Sequence, residues 1–288
     1  MYWSFAKIVL EKMRRRIKML PFINLFGVQV PMYGVCMSIA MLLAISLSCL
    51  RAKKRGLDVD RLLTIALAAI VCGILGAKLL YFIVTYSWDE FIASIKANGI
   101  GYLLQGGLVF YGGLIGGVLG AFLGARFTHT KLSEYSDSIV PTLPLAHAIG
   151  RMGCFFSGCC YGRPTDSWIG VCFPHSVTGL SPDVAVIPTQ LIESGLNMLL
   201  FIGLLIYTRK ERKGFTTLYV YLIAYGVERF LLEFLRGDEI RGIFGSLSTS
   251  QWISLLLIIV SAIMLVISGR KHGTQADAEP ITEENHGD

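Results

Sequence analysis

The sequence predicts an all-α, polytopic membrane protein with about seven transmembrane helices, its N-terminus outside and its C-terminus in the cytoplasm. Three observations carry this. Hydrophobic residues make up 53% of the chain and charged residues 16%, with a mean hydropathy of +0.60, a balance foreign to a soluble globular domain. Runs of roughly 20 apolar residues, enough to cross the hydrocarbon core, recur at 29–50, 62–86, 106–127, 139–157, 187–208, 215–236 and 249–268. The connections alternate in charge: 51–56, 126–131, 209–214 and 270–273 are basic, whereas 87–105, 158–186 and 237–248 carry one Lys or Arg each. Short basic loops stay cytoplasmic, which sets the orientation. Seven spans leave no room for a soluble catalytic domain. The net charge of +6 resides mostly in these connections and is not a nucleic-acid signal.

Residues 1–18 depart from the pattern, because Lys7, Lys12, Arg14, Arg15, Arg16 and Lys18 would lie outside, ahead of the first span. The segment reads either as a basic amphipathic helix along the interface or, the favoured expectation, as an extension absent from the mature protein, which then begins at Met19. Sequencing the N-terminus of the expressed protein tests this: a mature chain starting before Met19 overturns it. The expected organisation is therefore a basic extension (1–18), a seven-helix membrane domain (19–270) and an acidic, disordered cytoplasmic tail (271–288).

Along the spans, the polar residues are the informative ones. Lys78 stands in the second. The third is glycine-rich, with Tyr111 followed by Gly112 and Gly113, and its small residues at adjacent and four-residue spacings suit close helix approach in lipid. The fourth carries Arg151 among Gly150, Gly153, Gly158 and Gly162; a guanidinium at membrane depth costs about 2.5–3.5 kcal/mol on insertion scales and calls for an anionic partner or ligand. His147, four residues earlier, shares its face. The fifth holds Glu193 within PTQLIES, and the sixth reads YGVERFLLEFLR, where Arg229 and Glu233 at i and i+4 can pair and Arg236 follows. With Arg151 added, positive charge is in excess, which suits a phosphate gripped by guanidinium forks.

Of seven cysteines, Cys36, Cys49 and Cys72 fall in spans and read as packing residues. Cys154, Cys159, Cys160 and Cys172 cluster at or beyond the outer end of the fourth span. One disulfide ranks first there, free thiols second, and metal or redox chemistry third, since C-x4-C-C-x11-C does not match the usual zinc spacing.

These segments, in order along the chain, resemble one known family. GRMGCFFSGCCYGR (150–163) resembles the GRxGNFxNGExxGR motif of prolipoprotein diacylglyceryl transferases. PMYG (31–34), QGGLVFYGGLIGG (105–117), PTQLIE (188–193), YGVERFLLEFLR (225–236) and LSTSQWIS (247–254) resemble further segments of that family. The resemblance implies transfer of a diacylglyceryl group from phosphatidylglycerol to the lipobox cysteine in the signal peptide of a prolipoprotein, at the bacterial cytoplasmic membrane. No metal or organic cofactor is implied. It assigns catalytic roles to Arg151, Arg229, Glu233 and Tyr111, and phosphatidylglycerol binding to Arg151, Tyr33, Gly112, Gly113, Gly162, Gln190 and Arg236. The family's functional His is Tyr111 here; its two Asn are Cys154 and Ser157, its acidic residue is Cys159, and the His before PxQ is Ile187. The general base stays open among Glu233, His147 and Tyr111. The runner-up reading is a divergent relative acting on another acceptor, and non-transferase alternatives are a membrane transporter and a thiol-redox protein.

Overall fold

The computed structural model of the chain describes residues 21–98, 107–236, 243–245 and 247–276. The extension over 1–18 and residues 277–288 of the expected tail lie outside the described residues. The described part is mostly helical, with short two-stranded ladders added to the expected all-α architecture. It forms two units, one made by residues up to Ala44 together with those from Ile139 onward, the other by Ile45–Ser138.

The first unit begins with a hairpin, β1 (Phe22–Leu25) against β2 (Val28–Pro31), closed by Phe26 and Gly27, both at positive φ. A two-residue turn of that kind matches the twist of antiparallel strands. The first span, expected from residue 29, therefore starts only at Met32, where α1 (Met32–Lys54) follows Pro31. In this unit α6 (Thr142–Ser157) packs on α7 (Thr189–Tyr207), α7 on α8 (Thr216–Glu233), and α8 on α9 (Thr249–Ala276). The connection from α6 to α7 is no slack loop. Strands β3 (Val171–Cys172) and β4 (Ala185–Val186) pair within it, and Phe155, Val171, Phe173 and Val186 form a small apolar core beneath them. A last ladder, β5 (Ile243–Phe244) with β6 (Leu247–Ser248), leads into α9.

The second unit is built on α2 (Val59–Thr85) and α4 (Phe110–Phe127). Asp58 caps α2, its carboxylate accepting from the N–H groups of Asp60 and Arg61. On α4, Gly112, Gly116, Gly120 and Gly124 form a buried stripe at four-residue spacing. A Cβ at Gly112 would run into the Gly76 carbonyl, one at Gly116 into that of Cys72 and one at Gly120 into that of Ala68. Only hydrogen on these α-carbons permits that approach, the packing rule of helices in lipid. Between α2 and α4 lies α3 (Trp88–Asn98), a helix inside the connection 87–105 that hydropathy leaves as a loop. Its start is a capping box: Glu90 accepts from the N–H and hydroxyl of Ser87 (2.9 and 2.8 Å), and the Glu90 N–H returns a bond to the Ser87 hydroxyl at 3.4 Å. The basic segment at the end of α1 is anchored too, Arg55 pairing with buried Asp137 at 2.9 Å and Arg51 donating to the Asp137 carbonyl at 2.8 Å.

Among the described residues five helices, α1, α2, α4, α7 and α9 over Thr249–Arg270, are long and apolar enough to cross a membrane. The fourth expected span qualifies only as a bent pair, α5 (Leu132–Ile139) with α6, broken next to Pro141, whose ring nitrogen carries no N–H to continue a helix. The sixth expected span, α8, carries Glu228, Arg229 and Glu233 within 18 residues and falls short on composition. Large apolar side chains of α1, α2, α4 and α9 lie exposed, as in Leu42, Leu67, Ile115 and Leu256. Such faces are a liability in water and at home in hydrocarbon.

Candidate functional site

The residues that hydropathy cannot place in lipid find one another inside the first unit. Arg151 and His147, one turn apart on α6, both meet Glu193 of α7: Arg151 Nη2 lies 2.7 Å and His147 Nε2 3.3 Å from Glu193 Oε1. Glu193 is 1% exposed. This is the anionic partner that a buried Arg151 demands; the sequence offers Glu193 as a residue able to pair with the arginines without fixing which one. One turn further along α7, Asn197 donates to the Glu193 carbonyl (3.0 Å) and to Glu228 Oε1 of α8 (2.5 Å). Asn197, wholly buried, is the member that sequence reasoning passed over; an Asn inside NMLLFIGLL was its only signal.

On α8, Arg229 Nη2 pairs with Glu233 Oε2 at 2.8 Å, the i, i+4 contact its spacing predicts, and also donates to Ser250 Oγ of α9 at 3.3 Å. Glu193 is drawn electrostatically by both Arg151 and Arg229, and Tyr225 and Glu228 feel the same two guanidinium groups. Arg151, Arg229, Glu193, Glu228 and Tyr225 are therefore one electrostatic cluster. The positive excess read from the sequence does not survive, because Glu193 and Glu228 stand beside the arginines. What survives is donor capacity: Arg151 Nε and Arg229 Nη1 are buried with no hydrogen-bond partner among the described residues.

The turn after α6 supplies the second half of the site. Gly158, at φ 65°, ends the helix left-handed; its N–H bonds the Phe155 carbonyl and the Cys159 N–H bonds that of Cys154. This is the Schellman closure, and glycine is its natural residue. The next two carbonyls are held by the start of α7, that of Cys159 by Gln190 Nε2 at 2.7 Å and that of Cys160 by Thr189 Oγ1 at 2.9 Å. Gly162 follows, its N–H on the Ile187 carbonyl at 2.8 Å, and a Cβ there would strike Leu235 and Thr189. Gly162 and Gln190 thus join the turn to α7. Tyr33 of α1 packs against Gly153, where any larger residue would displace it, and lies within electrostatic reach of Arg151 and the cysteines.

All seven cysteines, including the four among which the sequence ranks one disulfide first, stand as free thiols in the structure. The sulfurs of Cys154, Cys159 and Cys160 lie within 4.8 Å of one another, while Cys172 stands in β3 apart from them. The Cys160 thiol is held well below its usual range by hydrogen bonds from Cys154 and Cys159, aided by the guanidinium groups of Arg151 and Arg236. The same sulfur contacts, with burial, push Cys159 up. Tyr111, Gly112 and Gly113 belong to the second unit, on the first turn of α4. Tyr111 is half exposed there, and Gly112 is taken up by the contact with Gly76.

Between α7 and α8 lies an open groove of about 440 Å³, lined by Ile192, Leu196, Leu200, Val227 and Leu231 with Glu228 as the one ionisable residue of its lining. It joins an apolar slot to the charged cluster through Glu228.

The sequence profile of the family described as prolipoprotein diacylglyceryl transferase matches residues 21–267. A phosphatidylglycerol--prolipoprotein diacylglyceryl transferase of Clostridium tetani is 41% identical over 238 residues, 82% of this chain and 92% of its own. A second, numbered 2, from Clostridium perfringens is 36% identical over 252 residues (86% and 96%). One from Streptococcus mutans is 33% identical over 254 residues (83% and 91%). With a profile running through both units and relatives matched over nearly their whole lengths, the chain belongs to the prolipoprotein diacylglyceryl transferase family.

Proposed function

We propose that the protein transfers the diacylglyceryl group of phosphatidylglycerol to the lipobox cysteine of prolipoproteins, releasing glycerol phosphate, at the bacterial cytoplasmic membrane. The acceptor thiol gives up its proton, its sulfur bonds to the glyceryl carbon, and the bond from that carbon to the phosphate oxygen breaks, its electron pair leaving with glycerol phosphate. The observation that carries the reading is the pair of buried guanidinium groups, Arg151 and Arg229, gathered on Glu193 with a donor nitrogen left over on each. Donors fixed in a water-poor site are worth most where charge develops, here on the leaving phosphate. Glu233 holds Arg229 and Glu193 holds Arg151, while Gln190 holds the turn after α6 and Arg236 and Tyr33 lie within electrostatic reach of its cysteines. The apolar groove beside Glu228 suits an acyl chain of the donor.

The seven-span topology, N-terminus outside and C-terminus in the cytoplasm, belongs to the same proposal. Its support is the charge alternation of the connections and a helix at every expected span; α8 enters the membrane with Arg229 paired to Glu233 and Glu228 hydrogen-bonded by Asn197. The proton acceptor lies among Glu233, His147 and Tyr111. The test is mass spectrometry of a lipobox peptide incubated with purified protein and phosphatidylglycerol. The wild type adds the diacylglyceryl mass to the cysteine, and Arg151→Ala and Arg229→Ala do not. Full transfer by both variants defeats the mechanism, and no transfer by folded wild type defeats the function.

A further inference from the structure

The three-cysteine turn is not needed by the transfer chemistry above, and its geometry is specific. Cys154 and Cys159 are the first and last residues of the Schellman closure, which stacks the residue after the cap on the last helical turn. An apolar contact commonly forms there; here both positions are thiols. Cys160 then takes φ 61°, a left-handed conformation unusual for a side chain with a Cβ, and this bend keeps its sulfur with the other two. The conformation is held from outside by Thr189 and Gln190, so the convergence of sulfurs does not depend on any bond between them.

We propose that Cys154, Cys159 and Cys160 bind one thiophilic d¹⁰ cation of the zinc class. Three thiolates about one ion at roughly 2.3 Å place the sulfurs roughly 3.8 Å apart, a small contraction from the mutual separations within 4.8 Å seen here. A disulfide would use two of the sulfurs and strand the third in a partly buried turn. Thiolate sulfur selects zinc or copper(I) over magnesium or calcium. Charge agrees as well: three thiolates and a divalent ion carry one net negative charge, and Arg151 and Arg236 bear on the turn with positive charge. The unusual C-x4-C-C spacing is explained by the closure, which brings positions five apart together at a helix end as C-x2-C does in a tight turn. The ion would clasp the end of α6 to the turn carrying Gly162, and three protein ligands leave a fourth position for an external donor.

The experiment is metal analysis of the full-length protein, purified in mild detergent under reducing, chelator-free conditions, followed by Co²⁺ titration of the chelator-stripped protein. The expected result is about one zinc per chain, as for a dedicated thiolate site, and a sulfur-to-cobalt charge-transfer band in the near ultraviolet. Cys159→Ser and Cys160→Ser should each lose the band, and Cys172→Ser should keep it. Because single serine replacements retain size and polarity, circular dichroism of each variant separates loss of metal from loss of fold. If a variant unfolds, alkylation of the wild type decides instead: bound zinc protects the three thiols from iodoacetamide and leaves Cys172 reactive. Substoichiometric metal after zinc reconstitution, a band unchanged in Cys159→Ser and Cys160→Ser, or a disulfide within the trio in the isolated protein each overturns the proposal. None of these readouts depends on diacylglyceryl transfer.

Discussion

Replacing Glu193 by alanine probes the centre of the site. The carboxylate is 1% exposed, 2.7 Å from Arg151 and 3.3 Å from His147, and is also drawn by Arg229. Removing one partner of a buried ion pair costs about 3–5 kcal/mol, since the remaining charge is left desolvated. At 1.4 kcal/mol per tenfold that multiplies the unfolding equilibrium constant by about 10² to 10⁴, measurable as a lowered thermal midpoint in detergent. Transfer should fall further than stability predicts, because an unheld Arg151 no longer points its fork at the phosphate, and a misplacement of about 1 Å is worth about 10²-fold. The double variant Arg151→Leu/Glu193→Leu separates the two effects. With both charges gone, stability should return towards the wild type, while transfer stays absent. Single Glu193→Ala protein with wild-type midpoint and transfer, or a double variant that regains transfer, refutes the reasoning.

Other consequences are equally direct. Gly116→Leu drives a side chain into the Cys72 carbonyl and should abolish accumulation of folded protein, whereas Gly117→Ala, whose Cβ would sit 3.7 Å from the Ala69 carbonyl, should be tolerated; size-exclusion profiles of both variants check this. Arg229→Lys keeps the charge but loses the planar fork that holds Glu233 and Ser250 through Nη2 and leaves Nη1 over, so transfer should drop at least about tenfold with little change in the thermal midpoint; a variant as active as wild type counts against bidentate phosphate binding. Glu90 is held below its ordinary pKa by the N–H and hydroxyl of Ser87. Its folded value lies below its unfolded one, so the cap's contribution is present above the unfolded pKa and fades as pH falls through the folded one. Amide exchange in the first turn of α3 should therefore be more protected at pH 7 than at pH 3 after correction for the intrinsic rate, and Glu90→Ala should remove the difference.

What the linear chain determined by itself was the solvent and the chemistry. Apolar runs of membrane length, alternating loop charge, and arginines where hydrocarbon would exclude them are properties of composition and spacing, and the i, i+4 pair of Arg229 and Glu233 needs only helical periodicity. Tertiary structure decided everything that depends on which helices touch. Glu193 could pair with any of the arginines, or with none, until α7 packed on α6 and set it against Arg151 and His147. Asn197 gained a role only by facing Glu228 on α8. The hairpin before α1 and the capped helix α3 escaped hydropathy because their signals are turn geometry and side-chain capping, which a sliding apolar window does not register. The cysteines illustrate the division most clearly. Spacing argued against a metal site, and the left-handed end of α6, a matter of backbone dihedrals and contacts from α7, drew three sulfurs together and left the fourth in β3. Periodicity records which face a residue takes within its own helix, whereas a cluster between helices arises from contacts between segments far apart in sequence.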